Sequence, residues 1–202
     1  PRDVVLDISA GHVYYTDTGD ARVFRCNLDG SSKTNVTPSG LSAPAGLAID
    51  TIRDKMYVCE GGGSLIKADL DGSNQSSLPV GVDTPSDVFV DELAGQIYVA
   101  DIGDYGLIYR FDLDGTSGVQ IATFKKYNPS YPYQLFLDIP DSNEPKSIFF
   151  ADPLSGKIIR TYINVVPDYD NGNVTHNVPQ NSLQYSWIKD SSESTVADFQ
   201  GF

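Results

Sequence analysis

The sequence predicts an all-β chain folded as a β-propeller of four-stranded antiparallel blades, and three observations carry that prediction. First, an aromatic residue leads to an acid three positions later four times: Tyr14 to Asp17, Tyr57 to Glu60, Tyr98 to Asp101 and Phe149 to Asp152. Second, Leu28-Asp29-Gly30 returns as Leu70-Asp71-Gly72 and Leu113-Asp114-Gly115, at steps of 42 and 43 residues. A period of that length marks one supersecondary unit used repeatedly. Third, 12 tyrosines, 18 glycines and 12 prolines make a chain rich in strand and turn formers.

The first repeat, residues 1–42, places strands near 3–8, 12–17, 22–28 and 33–37. The second, 43–83, shows the unit most plainly. Ala45 to Asp50 is a short apolar run, Thr51 to Asp54 a turn and Lys55 to Glu60 a second strand. Gly61, Gly62 and Gly63 then break the chain, and Leu65 to Leu70 alternates as a half-exposed strand does. Asp71-Gly72 is expected to close a tight hairpin with positive φ at both residues. Ser76 to Val80 makes the fourth strand, its proline suited to an edge.

The third repeat, 84–128, repeats the pattern with strands near 86–91, 96–101, 107–113 and 118–123. The fourth, 129–178, is looser. Gln134 to Asp138 is its inner strand, Ser147 to Asp152 its second and Lys157 to Tyr162 its third, while Ile163-Asn164-Val165 replaces the turn signature. Residues 179–202 read as a partial blade or closing tail, with Tyr185 to Asp190 as an inner strand and Thr195 to Asp198 as a second. Residues 1–202 thus form one propeller domain of four full repeats and an incomplete C-terminal one.

Composition narrows the partners. A net charge of −13 and a pI near 4.3 repel phosphate backbones and anionic lipid, which argues against nucleic-acid and membrane-surface binding. Cationic ligands, basic protein patches and metal ions are attracted instead. No apolar stretch approaches the roughly 18–20 residues that span a bilayer, so membrane insertion is not expected. Neither a signal peptide nor an initiating methionine opens the chain, which reads as a processed product. Sequons at Asn35, Asn74 and Asn173 fall in turns or outer loops, where glycosylation must lie, and point to a secreted, extracellular protein. Cys26 and Cys59 lie in strands of neighbouring repeats. They read as small buried hydrophobes, with a bridge between them the open alternative.

The run from Gly11 through Asp17 to Leu28-Asp29-Gly30 resembles a YWTD repeat, also called a low-density-lipoprotein-receptor class B repeat, and residues 56–72 and 97–115 resemble it too. The family tryptophan is replaced by Tyr15, Val58, Val99 and Phe150, and Glu60 stands where aspartate is usual. The resemblance implies that Asp17, Glu60, Asp101 and Asp152 are structural, accepting backbone hydrogen bonds that lock adjacent blades. A wider set of six-bladed propellers, including gluconolactonase-like enzymes, shares the blade pattern.

Function is expected at one end of the central channel, where the loops entering each inner strand meet those between second and third strands. That face would carry Asp3, Asp20, Asp87, Asp104, Tyr105, Tyr131, Tyr133 and Gln134. Rings beside carboxylates suit a cationic or sugar-like group. The expected role is a ligand-binding or adhesion module for a protein, glycan or cationic ligand, needing no cofactor and with no catalytic residue assigned. One alternative is a metal-dependent lactonase-like hydrolase, with Asp3 and Asp87 holding a divalent cation such as calcium. Another is a propeller completed by a second chain or by a homodimer.

Overall fold

The structure, a computed structural model, describes residues 1–38, 41–103, 106–123, 133–138, 147–152, 157–162, 184–188 and 198–200. All regular elements among them are strands. The first sheet contains β1 (Val4–Asp7), β2 (His12–Asp17), β3 (Arg22–Asn27) and β4 (Thr34–Asn35). The second contains β5 (Pro44–Asp50), β6 (Lys55–Glu60), β7 (Ser64–Asp69) and β8 (Ser76–Leu78). The third contains β9 (Pro85–Asp91), β10 (Gln96–Asp101), β11 (Leu107–Asp112) and β12 (Val119–Thr123). Strands pair antiparallel in chain order, which is the blade of a β-propeller.

The fourth sheet differs from the sequence reading. After β13 (Gln134–Asp138), β14 (Ser147–Asp152) and β15 (Lys157–Tyr162) come β16 (Gln184–Ile188) and β17 (Asp198–Gln200). The tail does not start a fifth blade: Trp187 pairs with Ile159 on β15, and Phe199 with Tyr185 on β16. The reason is the open edge of β15, a row of unsatisfied backbone donors and acceptors. Residues 166–183 are polar, so the aromatic run at 185–188 is the first segment suited to cover that edge.

Period-2 alternation packs the blades together. On β6, Met56 and Val58 join Tyr14, Val23, Leu47 and Ile49 between the first and second sheets. Their neighbours Tyr57 and Cys59 face the other way, against Leu65, Val88, Val90, Ile97 and Val99 of the second and third. Tyr98, Ile108, Leu137, Ile148 and Phe150 fill the junction of the third and fourth. A strand between two such layers reads as a continuous apolar run, as Met56 to Cys59 does. Each fully buried side chain of this size contributes about 1.5–3 kcal/mol. The inner strands of the two end blades leave apolar residues uncovered: Val4 and Leu6 on β1 are 61% and 52% exposed, and Phe136 on β13 is 62% exposed.

The leucine-aspartate-glycine turns also correct an expectation. Only the glycine has positive φ, at +81° for Gly30, +87° for Gly72 and +82° for Gly115. Each glycine N–H donates to the carbonyl three residues back, Asn27, Asp69 and Asp112 respectively. The aspartate lacks positive φ, and its carboxylate is occupied. Asp29, Asp71 and Asp114 accept the N–H of Ser31, Ser73 and Thr116 at 2.8–2.9 Å. Gly72 has a second constraint: a Cβ there would lie 2.7 Å from the Val36 carbonyl oxygen of the preceding blade. Both cysteines are free thiols, Cys26 half-buried and Cys59 buried.

Candidate functional site at the channel mouth

The motif acids sit at the ends of the second strands and reach the loops that lead into the inner strands. Glu60 Oε2 accepts the Ser42 N–H at 2.9 Å, and Oε1 accepts that of Ala43. One blade on, Asp101 accepts the Asp83 and Thr84 N–H groups, both at 2.9 Å, and adds Gly103 from its own loop. The partners stand 18 and 17 residues before the acid in both cases, so the glutamate does the aspartate's work with a longer arm. Asp17 has different partners. It accepts the Asp20 N–H and pairs with the Pro1 ammonium at 3.3 Å. These partners hold the Asp17 carboxyl below its usual range, the Asp20 hydrogen bond first among them. The side chain of Asp152 lies outside the described residues.

Two carboxylates work deeper in. Superposing the repeats aligns Asp3, Gly46, Asp87 and Gln134 at the start of the four inner strands. Asp3 accepts the Val4 N–H of its own strand at 2.8 Å and the Leu47 N–H of the next blade at 2.7 Å. Asp87 repeats the pattern with Val88 at 2.9 Å and Leu135 of the fourth blade at 2.5 Å. Asp3 and Asp87 also hydrogen-bond each other. Burial, then the neighbouring Asp3 charge, pushes Asp87 up to about 8, and burial raises Asp3 as well. The pair does not fit a divalent cation. All four oxygens are turned to backbone amides, and no group of three His, Cys, Asp or Glu side chains gathers among the described residues.

Asp3 and Asp87 therefore lie inside the mouth, while Asp20, Tyr133 and Gln134 are exposed on it. The Arg2 guanidinium approaches to 5.9 Å from the Tyr133 ring centre, bringing the first and fourth blades together at this end. Asp104, Tyr105 and Tyr131 lie outside the described residues, as does the sequon at Asn173. Asn35 and Asn74 are exposed. Sequence reasoning passed over Gly46 and Asp83. Column alignment would have found Gly46, the one inner-strand start without a side chain. The roles of the Thr16 and Thr18 hydroxyls were not foreseen. They donate to the carbonyls of Ala45 at 2.7 Å and Pro44 at 2.8 Å, fixing the second blade's leading segment from the first. Below the mouth a cavity of about 980 Å³ runs between the inner strands, from Asp3 and Asp87 past Leu6 and Phe136 to Asp7 and Asp91.

Antiparallel blades in chain order, packed through alternating apolar layers and with the segments entering the second and third blades held by Glu60 and Asp101, define a β-propeller with loops fixed at one rim. In its repeats the chain is similar to proteins of the YWTD, or low-density-lipoprotein-receptor class B, type. No family model matches it, but curated relatives do. It is 30% identical over 115 residues to low-density lipoprotein receptor-related protein 1 of Pyricularia oryzae, covering 52% of this chain and 37% of that one. It is 40% identical over 68 residues to nidogen-2 of Mus musculus, covering 33% and 5%. Low-density lipoprotein receptor-related protein 5 of Mus musculus is 33% identical over 105 residues, covering 50% and 6%. The chain thus spans well under half the length of each. Among solved structures, a nidogen/laminin complex aligns with a TM-score of 0.63 at 17% identity, covering 79% of this chain and 74% of that one. A gluconolactonase from Xanthomonas campestris aligns at 0.62 and 18% identity, covering 80% and 57%. Both are likenesses of fold.

Proposed function

We propose that this propeller is an extracellular ligand-binding module that engages a protein through the mouth bearing Asp20, Asp83, Tyr133 and Gln134. The observation that carries the reading is the pinning of the rim: Glu60 and Asp101 hold the loops into the second and third inner strands by two amides each. A surface fixed before contact loses little entropy on binding. Relatives named as lipoprotein-receptor-related proteins and nidogen, and a nidogen structure solved with laminin, support a protein rather than a small molecule as ligand. The net charge of −13 and the exposed carboxylates favour a partner with a basic face. Exposed sequons at Asn35 and Asn74 fit a secretory route.

The test is surface plasmon resonance of the whole chain against laminin and a panel of basic extracellular proteins. Tyr133→Ala and Asp20→Lys are expected to weaken whichever interaction is found by about tenfold or more, the scale of losing an interface anchor. Asp29→Lys, on an outer turn, should leave it within about twofold. Rim variants that bind like the parent, or an equal loss with Asp29→Lys, refute the assignment.

A second reading concerns the ring itself, and the exposed Val4, Leu6 and Phe136 beside the cavity favour it. In this reading the end blades are covered by a further blade-bearing chain, a second copy of this one being the simplest.

A further inference from the structure

The column of inner-strand starts holds an arrangement that ligand binding does not use. Its sequence is carboxylate, glycine, carboxylate, amide. A Cβ on Gly46 would stand 2.4 Å from both the Cα and Oδ1 of Asp87. The missing side chain therefore makes the space into which Asp87 fits. The very next amide, Leu47 N–H, is held by Asp3 at 2.7 Å. Two carboxyl groups from the first and third blades thus converge on one peptide of the second, and Asp87 reaches on to Leu135 of the fourth. Every blade is touched by this pair.

Two carboxylates in contact, with Asp87 only 5% exposed, cannot both carry charge without strong repulsion. The surroundings offer little relief. Arg2 faces the pair from the segment before β1, yet its guanidinium lies toward Tyr133. β6 contributes the neutral thiol of Cys59, which burial and then the Asp87 and Asp3 charges push well up. β10 contributes the acid Asp101, β5 only Gly46 and apolar neighbours, and β13 the neutral Gln134 and the Leu135 amide. Asp7, Asp50, Asp91 and Asp138 lie at the far ends of the inner strands.

We propose that Asp3 and Asp87 form a single-proton latch, one hydrogen held between two carboxyl groups, that draws the four inner strands together and loosens when that proton leaves. The proton passes to solvent as hydronium or to hydroxide, and no covalent bond between heavy atoms changes. The sign follows from where the proton is bound. Asp87 releases it at about 8 in the folded chain, against 3.8 for an ordinary aspartate. Between those values the folded state holds one more proton than the unfolded state, so raising the pH favours unfolding by up to about tenfold per pH unit. The lowered carboxyls of Asp7, Asp17 and Asp69 act oppositely: their stabilisation is present above the unfolded value and is lost as pH falls below it. The propeller is therefore tightest in mildly acidic medium.

The experiment is urea unfolding of the parent, Asp3→Asn and Asp87→Asn from about pH 5 to 9, together with a carbon-13 titration of the aspartate carboxyls in the parent. The parent should lose stability with rising pH more steeply than either variant. One carboxyl should titrate near neutrality or above, with its coupled neighbour responding. Equal slopes in all three proteins overturn the latch. So does a parent titration in which every aspartate has a midpoint below about 5, whether or not the variants fold.

Discussion

Asp101→Ala tests the tie between neighbouring blades. In the parent, Asp101 is 3% exposed and accepts three backbone N–H groups, from Asp83, Thr84 and Gly103 at 2.9 Å each. Removing the carboxylate leaves three donors without that partner. A buried donor left unpaired costs about 1–3 kcal/mol, and these loop residues are half-exposed or exposed, so the lower figure applies to each. The expected loss is about 3 kcal/mol, a shift of the urea midpoint by roughly 1–3 M at the slopes usual for small proteins. Local opening gives a sharper readout. Amide exchange at Asp83 and Thr84 should accelerate by about a hundredfold, while Ser42 and Ala43, held by Glu60, keep the parent's protection. A change in stability below about 0.5 kcal/mol, or equal acceleration at both pairs of amides, would show that the acid is not what ties the blades.

Two further outcomes separate contributions that the fold combines. Gly30→Ala and Gly72→Ala place a methyl at nearly the same φ, +81° and +87°, but only Gly72 has a neighbouring blade within 4 Å. Calorimetry should show a loss of about 1–2 kcal/mol for Gly30→Ala from the left-handed backbone alone. Gly72→Ala should lose about 1–3 kcal/mol more from crowding Val36, and equal losses would remove the packing argument. Light scattering of the purified chain then addresses shared closure. A solution mass of twice 21.9 kDa is expected if a second copy covers the end blades, and a 21.9 kDa monomer that does not associate at high concentration rejects that occupant.

The repeat could be read from sequence because each of its devices is local. An aromatic residue and an acid three apart, or aspartate and glycine in one turn, announce themselves within a few positions, and their 42- and 43-residue steps reveal the blades. The tail stayed open between a partial blade and a closing tail for the opposite reason. Trp187 and Phe199 look the same whether they open a new sheet or cover an old one, and only the unfilled edge of β15 decides between them. The sequence shows which acids stand at the mouth but not their partners. Asp20, Tyr133 and Gln134 are exposed, while the carboxylates of Asp3 and Asp87 accept amides 44 and 48 residues away. Side-chain identity announces a carboxylate; it does not say which backbone it will meet.

That distance gives the inner column its mechanical role. The motif acids act between neighbouring loops, so each can fail alone and release one junction. Asp3 and Asp87 instead couple the starts of all four inner strands through Leu47 and Leu135, and Gly46 is what lets the two couplings touch. A rim built only from separate ties would relax loop by loop when a partner pulled on it. With the column joined beneath, displacing Tyr133 or Gln134 requires strain on the Leu135 amide, hence on Asp87 and on Asp3. Stiffness at the mouth and proton occupancy below it are therefore two readings of one hydrogen-bonded chain, and a variant that empties the latch should also broaden the rim's amide resonances.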